Sequence, residues 1–335
     1  MKIIISSLLI LSLVLSCQPQ ENTYKVAFGS CNNQRLDQSY WQIIQQQQPD
    51  AFVWGGDNIY ADTKNMDSLK AMYQFQKQNR YYQDFLKAIN YSVYATWDDH
   101  DYGLNDGGKD WEYKEESQLA FLDFIDVTDE NRRQQDGIYH AQDINIGSYD
   151  LKLYLLDTRF FRDSLKASSN PNKRYESWQK ANGSILGNVQ WQWLEKELQN
   201  SDADFNIIVS SIQFLSHEHG FETWGNFPHE VERLKSLLVK HQVKNTILLS
   251  GDRHISEFSK VEVDGLNYDL NDFTSSGLTH AYTSFTSEPN QNRVGKVINQ
   301  TSFGTLDFNF NDNSVLMQMK STKTGKTLQE QLIQF

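Results

Sequence analysis

Six short apolar runs recur along the chain, with segments of helical periodicity between several of them. Apolar runs of this length predict buried strands, and the segments between them predict helices. The predicted strands cover residues 25–29, 51–54, 92–97, 151–156, 207–210 and 246–249. The predicted helices cover residues 39–48, 68–89, 188–199 and 229–241. This alternation indicates a largely buried sheet with helical layers, of the α/β or α+β class.

The C-terminal segment 304–335 has a different periodicity. Its apolar residues occupy alternate positions, as in Leu306, Phe308 and Phe310. Alternation of period two predicts antiparallel strands with one buried face. We expect these strands to complete a second sheet, which gives an α/β/β/α sandwich of four layers. A single domain over residues 24–335 is expected, and the hydrophobic content of 39% is ample for its core.

The first residues of the chain predict export. Lys2 precedes an apolar stretch over residues 3–15, which is too short for a membrane span and typical of a secretory signal. A small residue and then Cys17 follow, which resembles a bacterial lipobox. We expect a signal peptide over 1–16, a lipid on Cys17 and a tether over 17–23; a plain secretory peptide with an incidental Cys is the alternative. The expected product is a bacterial lipoprotein, exported and anchored to a membrane in the periplasm or at the cell surface.

The net charge of −12 constrains the partners. It argues against nucleic acid as a main partner, because nucleic-acid backbones bind basic surfaces. A chain this acidic can still hold a phosphate ester where local positive charge is supplied, and metal ions would supply it here.

Side chains that bind metals or phosphate follow five of the six predicted strands. These strand ends read Gly29-Ser30-Cys31, Gly55-Gly56-Asp57, Asp98-Asp99-His100-Asp101, Asp157-Thr158-Arg159 and Gly251-Asp252-Arg253-His254. In open α/β sheets, ligands bind in the crevice beyond the carboxyl ends of the strands. The sequence therefore predicts a polar site at this edge, where two metal ions could neutralise a phosphate group and activate water for its hydrolysis.

Asp57 is the best candidate for a carboxylate that bridges two metals, although an Asp after a strand also serves as a helix N-cap. Cys31 and Tyr60 offer a thiolate and a phenolate, which suit trivalent iron. An inert buried thiol and a half-buried aromatic side chain are the alternatives for these two residues. If Cys17 carries a lipid, the Cys31 thiol has no disulfide partner in the chain and is expected to be buried or bound to metal.

Two further strand ends offer carboxylate and imidazole ligands. We expect Asp99 to bind metal, since the crowded carboxylates around it need cations. His100 is expected to act as a general acid or to hold the phosphate. Asp252 and His254 lie two residues apart, where alternate side chains of a strand face the same way, and we expect both to bind metal.

Arg159, two residues after Asp157, is expected to bind phosphate oxygens through its guanidinium fork. A structural Arg–Asp pair is the alternative. His217 and His219 have the spacing of metal ligands, but a loop or pocket rim is favoured for them. Structural or exposed positions are expected for the remaining histidines: His140, His229, His241 and His280.

The order of these motifs resembles the calcineurin-like metallophosphoesterase superfamily. Three of them depart from the general pattern of that superfamily in a way that looks like its PhoD-like branch: Gly29-Ser30-Cys31, Asp99-His100 and Gly251-Asp252-Arg253-His254. Further segments are similar to the same branch: Leu156-Asp157-Thr158-Arg159, Ser210-Ser211-Ile212-Gln213 and Thr274-Ser275-Ser276-Gly277-Leu278-Thr279-His280. The resemblance extends from about Val26 to the C-terminus.

The resemblance implies a catalytic domain of the metallophosphoesterase type, with alkaline phosphatase or phosphodiesterase activity on phosphate mono- or diesters. It implies Fe³⁺ with a divalent ion, foremost Ca²⁺, with Mn²⁺, Mg²⁺ or Zn²⁺ as alternatives. By the same resemblance, Cys31, Asp57 and Tyr60 would serve the iron. Four residues would serve the second metal or share both: Asp57, Asp99, Asp252 and His254.

A second hypothesis is a non-catalytic surface lipoprotein that binds glycans or a protein partner. It depends on tryptophans that could form exposed binding clusters: Trp41, Trp54, Trp111 and Trp224. The set of potential metal ligands counts against it. The sequence carries no signal for an oligomeric state.

Overall fold

The computed structural model describes residues 22–179 and 181–335. The predicted signal peptide, 1–16, and the predicted lipidation site, Cys17, lie outside these residues, as does all but the end of the predicted tether. Within the described ranges, no helix combines the length and the apolar character needed to cross a membrane.

Two mixed sheets form the centre of the molecule. The first has the order β15-β14-β13-β1-β2-β3, in which β1, β2 and β3 are parallel and the other pairs are antiparallel. Its strands are β1 (Thr23–Gly29), β2 (Ala51–Gly55), β3 (Val93–Thr96), β13 (Ser302–Asn309), β14 (Ser314–Ser321) and β15 (Thr327–Gln334).

The second sheet has the order β12-β10-β11-β9-β8-β5-β4, with a parallel centre made by β11, β9, β8 and β5. Its strands are β4 (His140–Ile146), β5 (Tyr149–Leu155), β8 (Phe205–Val209), β9 (Thr246–Ser250), β10 (Ser256–Val261), β11 (Leu270–Ser275) and β12 (Arg293–Ile298). A small separate hairpin consists of β6 (Lys166–Ala167) and β7 (Tyr175–Glu176).

Helices cover the outer faces of both sheets. They are α1 (Tyr40–Gln45), α2 (Met66–Lys77), α3 (Arg80–Ala88), α4 (Asp99–Tyr102), α5 (Lys114–Phe124), α6 (Glu130–Gln134), α7 (Gly187–Gln199) and α8 (Pro228–Lys240), with a 3₁₀ turn at Trp224–Asn226. Helices α1, α2, α3 and α5 share a core with the first sheet, and α7 and α8 share one with the second.

Successive side chains of the central strands face different hydrophobic cores. One core lies between the two sheets, and two more lie between each sheet and its helices, so the molecule has four layers. In β8, Ile207 and Val209 face the core between the sheets, whereas Ile208 faces α7 and α8. In β1, Phe28 faces the other sheet and Ala27 faces the helices. Strands buried on both faces explain why the apolar runs are continuous in the sequence. The predicted α/β/β/α sandwich is confirmed.

The C-terminal strands complete one of the two sheets, and it is the sheet that holds β2 and β3, because β13 pairs antiparallel with β1. The expected long helix over 68–89 is two helices. The side chain of Asn79 accepts hydrogen bonds from the backbone N–H groups of Tyr81 and Tyr82 and thereby caps a new helix, α3.

The tryptophans of the surface-binding hypothesis are not on the surface. Trp41, Trp54 and Trp224 are fully buried, and Trp111 is 5% exposed. Trp41 packs against the rings of Phe52 and other aromatic residues beneath the first sheet, with its indole N–H donated to Gln38. These side chains build the cores, so the expected exposed clusters do not exist.

Candidate metal centre

The polar strand ends of both sheets converge beside one cavity of about 420 Å³, which Asp99 and Asp252 line. Cys31 lies two residues beyond β1, Asp57 two beyond β2, and Asp252 two beyond β9. Asp99 begins the short helix α4, three residues beyond β3. An isolated bridge between Ser30 and Ser276 joins the sheets at this place. The centre therefore lies across the junction of the sheets, beyond their carboxyl ends.

One group of potential ligands surrounds an oxygen of Asp57. The Cys31 Sγ lies 3.3 Å from Asp57 Oδ2, and the Tyr60 hydroxyl lies 3.2 Å from the same oxygen. The Tyr60 hydroxyl is also 2.9 Å from His254 Nε2. This group, the thiolate side of the centre, combines thiol, phenol, carboxylate and imidazole donors from both sheets.

A second group, the carboxylate side, adjoins the first. Ligand atoms of Asp57, Asp99 and His100 all lie within 4.8 Å of one another, and so do those of Asp98, Asp99 and Asp252. Asp57 faces both groups, because its Oδ1 accepts the backbone N–H of His100 at 3.3 Å while its Oδ2 faces Cys31. A carboxylate in this position is suited to bridge two ions.

The residues present fit a bound cation. Asp99 Oδ2 accepts the backbone N–H of Asp106 at 2.6 Å, but Asp99 Oδ1 is buried without a hydrogen-bond partner. A buried charged oxygen that lacks a partner is costly, and coordination of a metal removes that cost. The thiolate side suits iron, whereas the oxygen donors of the carboxylate side suit a hard divalent ion.

Backbone strain is concentrated in the same residues. Cys31, Asp57, Asp252 and His254 have φ values of 59°, 50°, 68° and 54°. This left-handed region costs residues other than glycine on the order of 1 kcal/mol or more each, and it persists only where surrounding contacts impose it. Asp252 and His254 therefore reach the centre through a strained turn after β9, and the expected strand alternation at this point is wrong.

Glycines allow the strand ends to approach one another. A Cβ atom on Gly251 would lie 2.5 Å from Ser30 Oγ, and one on Gly56 would lie 2.7 Å from Asp98 Cβ. Gly56 also has a φ of 95°, which a side chain would oppose. In both motifs, Gly56-Asp57 and Gly251-Asp252, the glycine thus allows two chain segments to approach, and the carboxylate follows directly.

Three potential ligands of the centre are acidic groups whose pKa values are raised, which favours a bound cation beside them. Burial, reinforced by the neighbouring Cys31, raises the pKa of Asp57 well above its usual value. Burial and then the charge of Asp98 do the same for Asp252. Burial raises the pKa of Cys31 to about 11. Deprotonation of these groups together requires cations close by.

The two imidazoles differ in charge. Burial opposes protonation of His100, but its hydrogen bond to Asp62, 2.7 Å from Nδ1, and the charges of Asp57 and Asp99 raise its pKa to about 11. Burial lowers the pKa of His254, so its imidazole is neutral and able to act as a metal ligand.

Arg159 does not reach the cavity. Its side chain is fully buried, with Nε 2.6 Å from Asp98 Oδ1 and Nη1 2.7 Å from Glu222 Oε2. Asp157 is also turned away, because its carboxylate accepts the indole N–H of Trp97 and three backbone N–H groups. The expected phosphate contact is therefore wrong. Arg159 forms a buried ion pair with Asp98, whereas the structural alternative had paired it with Asp157.

The sequence analysis missed two residues of the site, Asp62 and His280. The ring centroid of His280 lies 4.5 Å from that of His254 and 5.0 Å from that of Tyr60, and burial lowers the pKa of His280 to about 4. His280 follows β11, and it was missed because the sequence analysis did not predict this strand. From the same segment, the Ser276 hydroxyl lies 3.0 Å from Cys31 Sγ.

The other histidines lie away from the centre. His217 lines a separate cavity beside the loop that precedes the 3₁₀ turn, and His219 is buried in that loop. Neither contributes an atom to the ligand groups found among the described residues.

The fold and the strand-end ligands place the chain among the metallophosphoesterase folds. Residues 26–327 match the family described as PhoD-like phosphatase, and the chain belongs to this family. Alkaline phosphatase D of Bacillus subtilis (strain 168) is 26% identical over 282 residues, which cover 74% of this chain. The same match covers 46% of that relative, so the chain spans less than half of its length.

Solved structures agree on the fold. A structure of PhoD is similar with a TM-score of 0.65 and 17% identity, over 93% of this chain and 68% of that one. The purple acid phosphatase PPD1 from yellow lupin gives a TM-score of 0.59 and 13% identity, over 94% and 54%. GAP50, the anchor in the inner membrane complex of Plasmodium, also gives 0.59, with 14% identity over 93% and 89%. At such identities the likeness shows the fold alone, and function must be argued from side chains.

Replacing Arg159 separates a structural role from a phosphate-binding role. Arg159→Met leaves Asp98 unpaired in the interior, so we expect the free energy of unfolding to fall by about 3–5 kcal/mol. Urea denaturation measures this loss. Lys64→Met, which breaks an exposed pair with Glu112, is the control and should change little. If Arg159→Met kept native stability but had a raised KM for a phosphate ester, we would conclude that Arg159 binds phosphate.

Proposed function

We propose that this chain is a two-metal phosphoesterase that hydrolyses phosphate mono- or diesters. The observation that carries the proposal is the position of Asp57, whose two oxygens face two adjoining groups of metal ligands. When bound, the two ions would neutralise charge on the phosphoryl group and lower the pKa of water.

The donor chemistry divides the ligands between the ions. The thiolate side would hold Fe³⁺ through four residues: Cys31, Asp57, Tyr60 and His254. The carboxylate side would hold a divalent ion, Ca²⁺ in the first place, through Asp57, Asp99 and Asp252. His254 joins the thiolate side because its Nε2 lies beside the Tyr60 hydroxyl.

His100 would protonate the departing alcohol. Its side chain lines the cavity, and Asp62 fixes the orientation of the ring through Nδ1, leaving Nε2 as the remaining polar atom. The hydrogen bond to Asp62, which belongs to neither ligand group, favours the protonated imidazole. A protonated, oriented imidazole at the mouth of the ligand groups has the features of a general acid.

Loss of the bridging carboxylate tests the proposal. We expect Asp57→Asn to lose bound metal and to lower kcat by at least about 100-fold. Mutation of a residue that only supports a metal ligand already lowers activity by up to about 100-fold, and Asp57 would bind the metals directly. Elemental analysis of the purified protein measures iron and divalent metal, and p-nitrophenyl phosphate and its bis ester measure monoester and diester hydrolysis.

The exposed Asp264→Asn is the matched control and should retain both metal and activity. Circular dichroism establishes that Asp57→Asn is folded, and His254→Ala provides a second ligand variant. Full activity in folded Asp57→Asn would reject the proposal. A wild-type protein that contains the metals but cleaves neither ester would indicate hydrolysis of another bond.

The leaving group tests the role of His100. In His100→Asn we expect turnover of glycerol 2-phosphate to fall by about 10²-fold or more, because an alkoxide needs a proton to depart. Turnover of p-nitrophenyl phosphate should fall much less, since nitrophenolate departs without one. His229→Asn, at the start of α8, serves as the control. An equal loss on both substrates would assign His100 to phosphate binding instead.

We also propose that the mature protein is a lipoprotein anchored through Cys17. The support is the apolar segment 3–15 followed by Cys17. In a bacterial host, Cys17→Ser should abolish incorporation of labelled palmitate and release the protein from the membrane fraction, while Cys31→Ser should keep the label. Palmitate labelling that persists in Cys17→Ser would place the lipid on another residue, and a wild type without label would reject the anchor.

A further inference from the structure

Two exposed aromatic side chains stand at the mouth of the cavity that holds the metal ligands. Phe221 is 40% exposed and Tyr282 is 44% exposed, and both line this cavity together with Asp99, Asp252 and His254. Neither residue has a role in the proposed hydrolysis. Large exposed aromatic side chains beside a polar site are a common means of holding an organic group.

Both aromatic residues are held in place by their neighbours. The guanidinium of Arg253 lies 4.3 Å from the centre of the Phe221 ring, and Glu288 fixes that guanidinium with contacts of 2.9 and 2.7 Å to Nη2. The backbone N–H of Tyr282 donates to the carbonyl of His254 at 2.7 Å. The Phe221 ring and the backbone of Tyr282 are therefore positioned relative to the metal ligands, which lowers the entropic cost of binding a ligand.

The charges at the mouth favour an uncharged occupant. Two arginines line the cavity, and each is already paired with a carboxylate: Arg253 with Glu288, and Arg174 with Asp106 at 2.7 Å. Within the described part of the chain, no arginine or lysine of the lining is left over for a second anionic group. The mouth thus offers aromatic surface without free positive charge.

We propose that Phe221 and Tyr282 form a subsite for the alcohol part of the substrate, and that this part presents an uncharged planar or apolar face. The proposal rests on the proposed function, because the phosphate group must lie at Asp99, Asp252 and His100. An ester whose phosphate lies there projects its alcohol toward the open side of the cavity, where the two rings are. Phe221 and Tyr282 are specificity residues in this arrangement and take no part in bond cleavage.

Binding of two phosphonates to the metal-loaded protein tests the subsite without any need for turnover. Calorimetry compares phenylphosphonate, which carries a ring, with methylphosphonate, which does not. We expect the wild type to prefer phenylphosphonate, and each of Phe221→Ala and Tyr282→Ala to reduce that preference by about 3- to 10-fold, the value of an aromatic contact. Methylphosphonate affinity should change less than twofold.

Phe75→Ala removes an aromatic side chain that is 57% exposed on α2 and is the matched control, with no expected change. Phe221→Tyr keeps the ring and should retain the preference. Equal affinity of the wild type for both phosphonates, or an equal loss for both in the alanine variants, would overturn the subsite. A preserved ring preference without hydrolysis of any phosphate ester would support the subsite and reject the proposed function.

Discussion

The arrangement of this molecule depends on the burial of several acidic groups at the junction of two sheets. Asp57 and Asp99 are buried and Asp252 is half-buried, and Asp57 lies against the buried thiol of Cys31, so little water remains to stabilise their charge. Their mutual repulsion is costly in such surroundings. On one flank, the protein compensates with its own cation, Arg159, which neutralises Asp98. On the other flank it provides ligand atoms, and the neighbouring Arg253 is already paired with Glu288, so the ligand atoms there suit a bound cation.

Much of the fold could be predicted from the sequence, because strands buried on both faces produce continuous apolar runs. The ligand candidates were found for a related reason, since parallel strands end at the same edge. The features that could not be predicted are mainly those that depend on contacts between distant parts of the chain. The burial of Arg159 depends on Glu222, which is distant in sequence, and the position of His280 depends on a polar strand, β11, whose residues Asn271, Asp272 and Thr274 hide its buried pattern. The break before α3 depended on a single Asn cap.

The comparison structures show why the side chains, and not the fold, must decide the function. The same four-layer arrangement occurs in PhoD, in a plant purple acid phosphatase and in GAP50, which is described as a membrane-complex anchor. In this chain, four residues with left-handed backbone conformations, 31, 57, 252 and 254, carry potential ligands. Strain of this kind is maintained by the surrounding fold, so the sandwich acts as a rigid support for four unfavourable backbone conformations.

The junction of the sheets has a mechanical consequence. Asp57 and Asp99 extend from one sheet, whereas Asp252 and His254 extend from the other, and the direct backbone connection nearby is the short bridge between Ser30 and Ser276. An ion coordinated from both sides would be a cross-link between the two halves of the sandwich. Its binding free energy would oppose their separation, so metal supply and resistance to unfolding would become linked quantities.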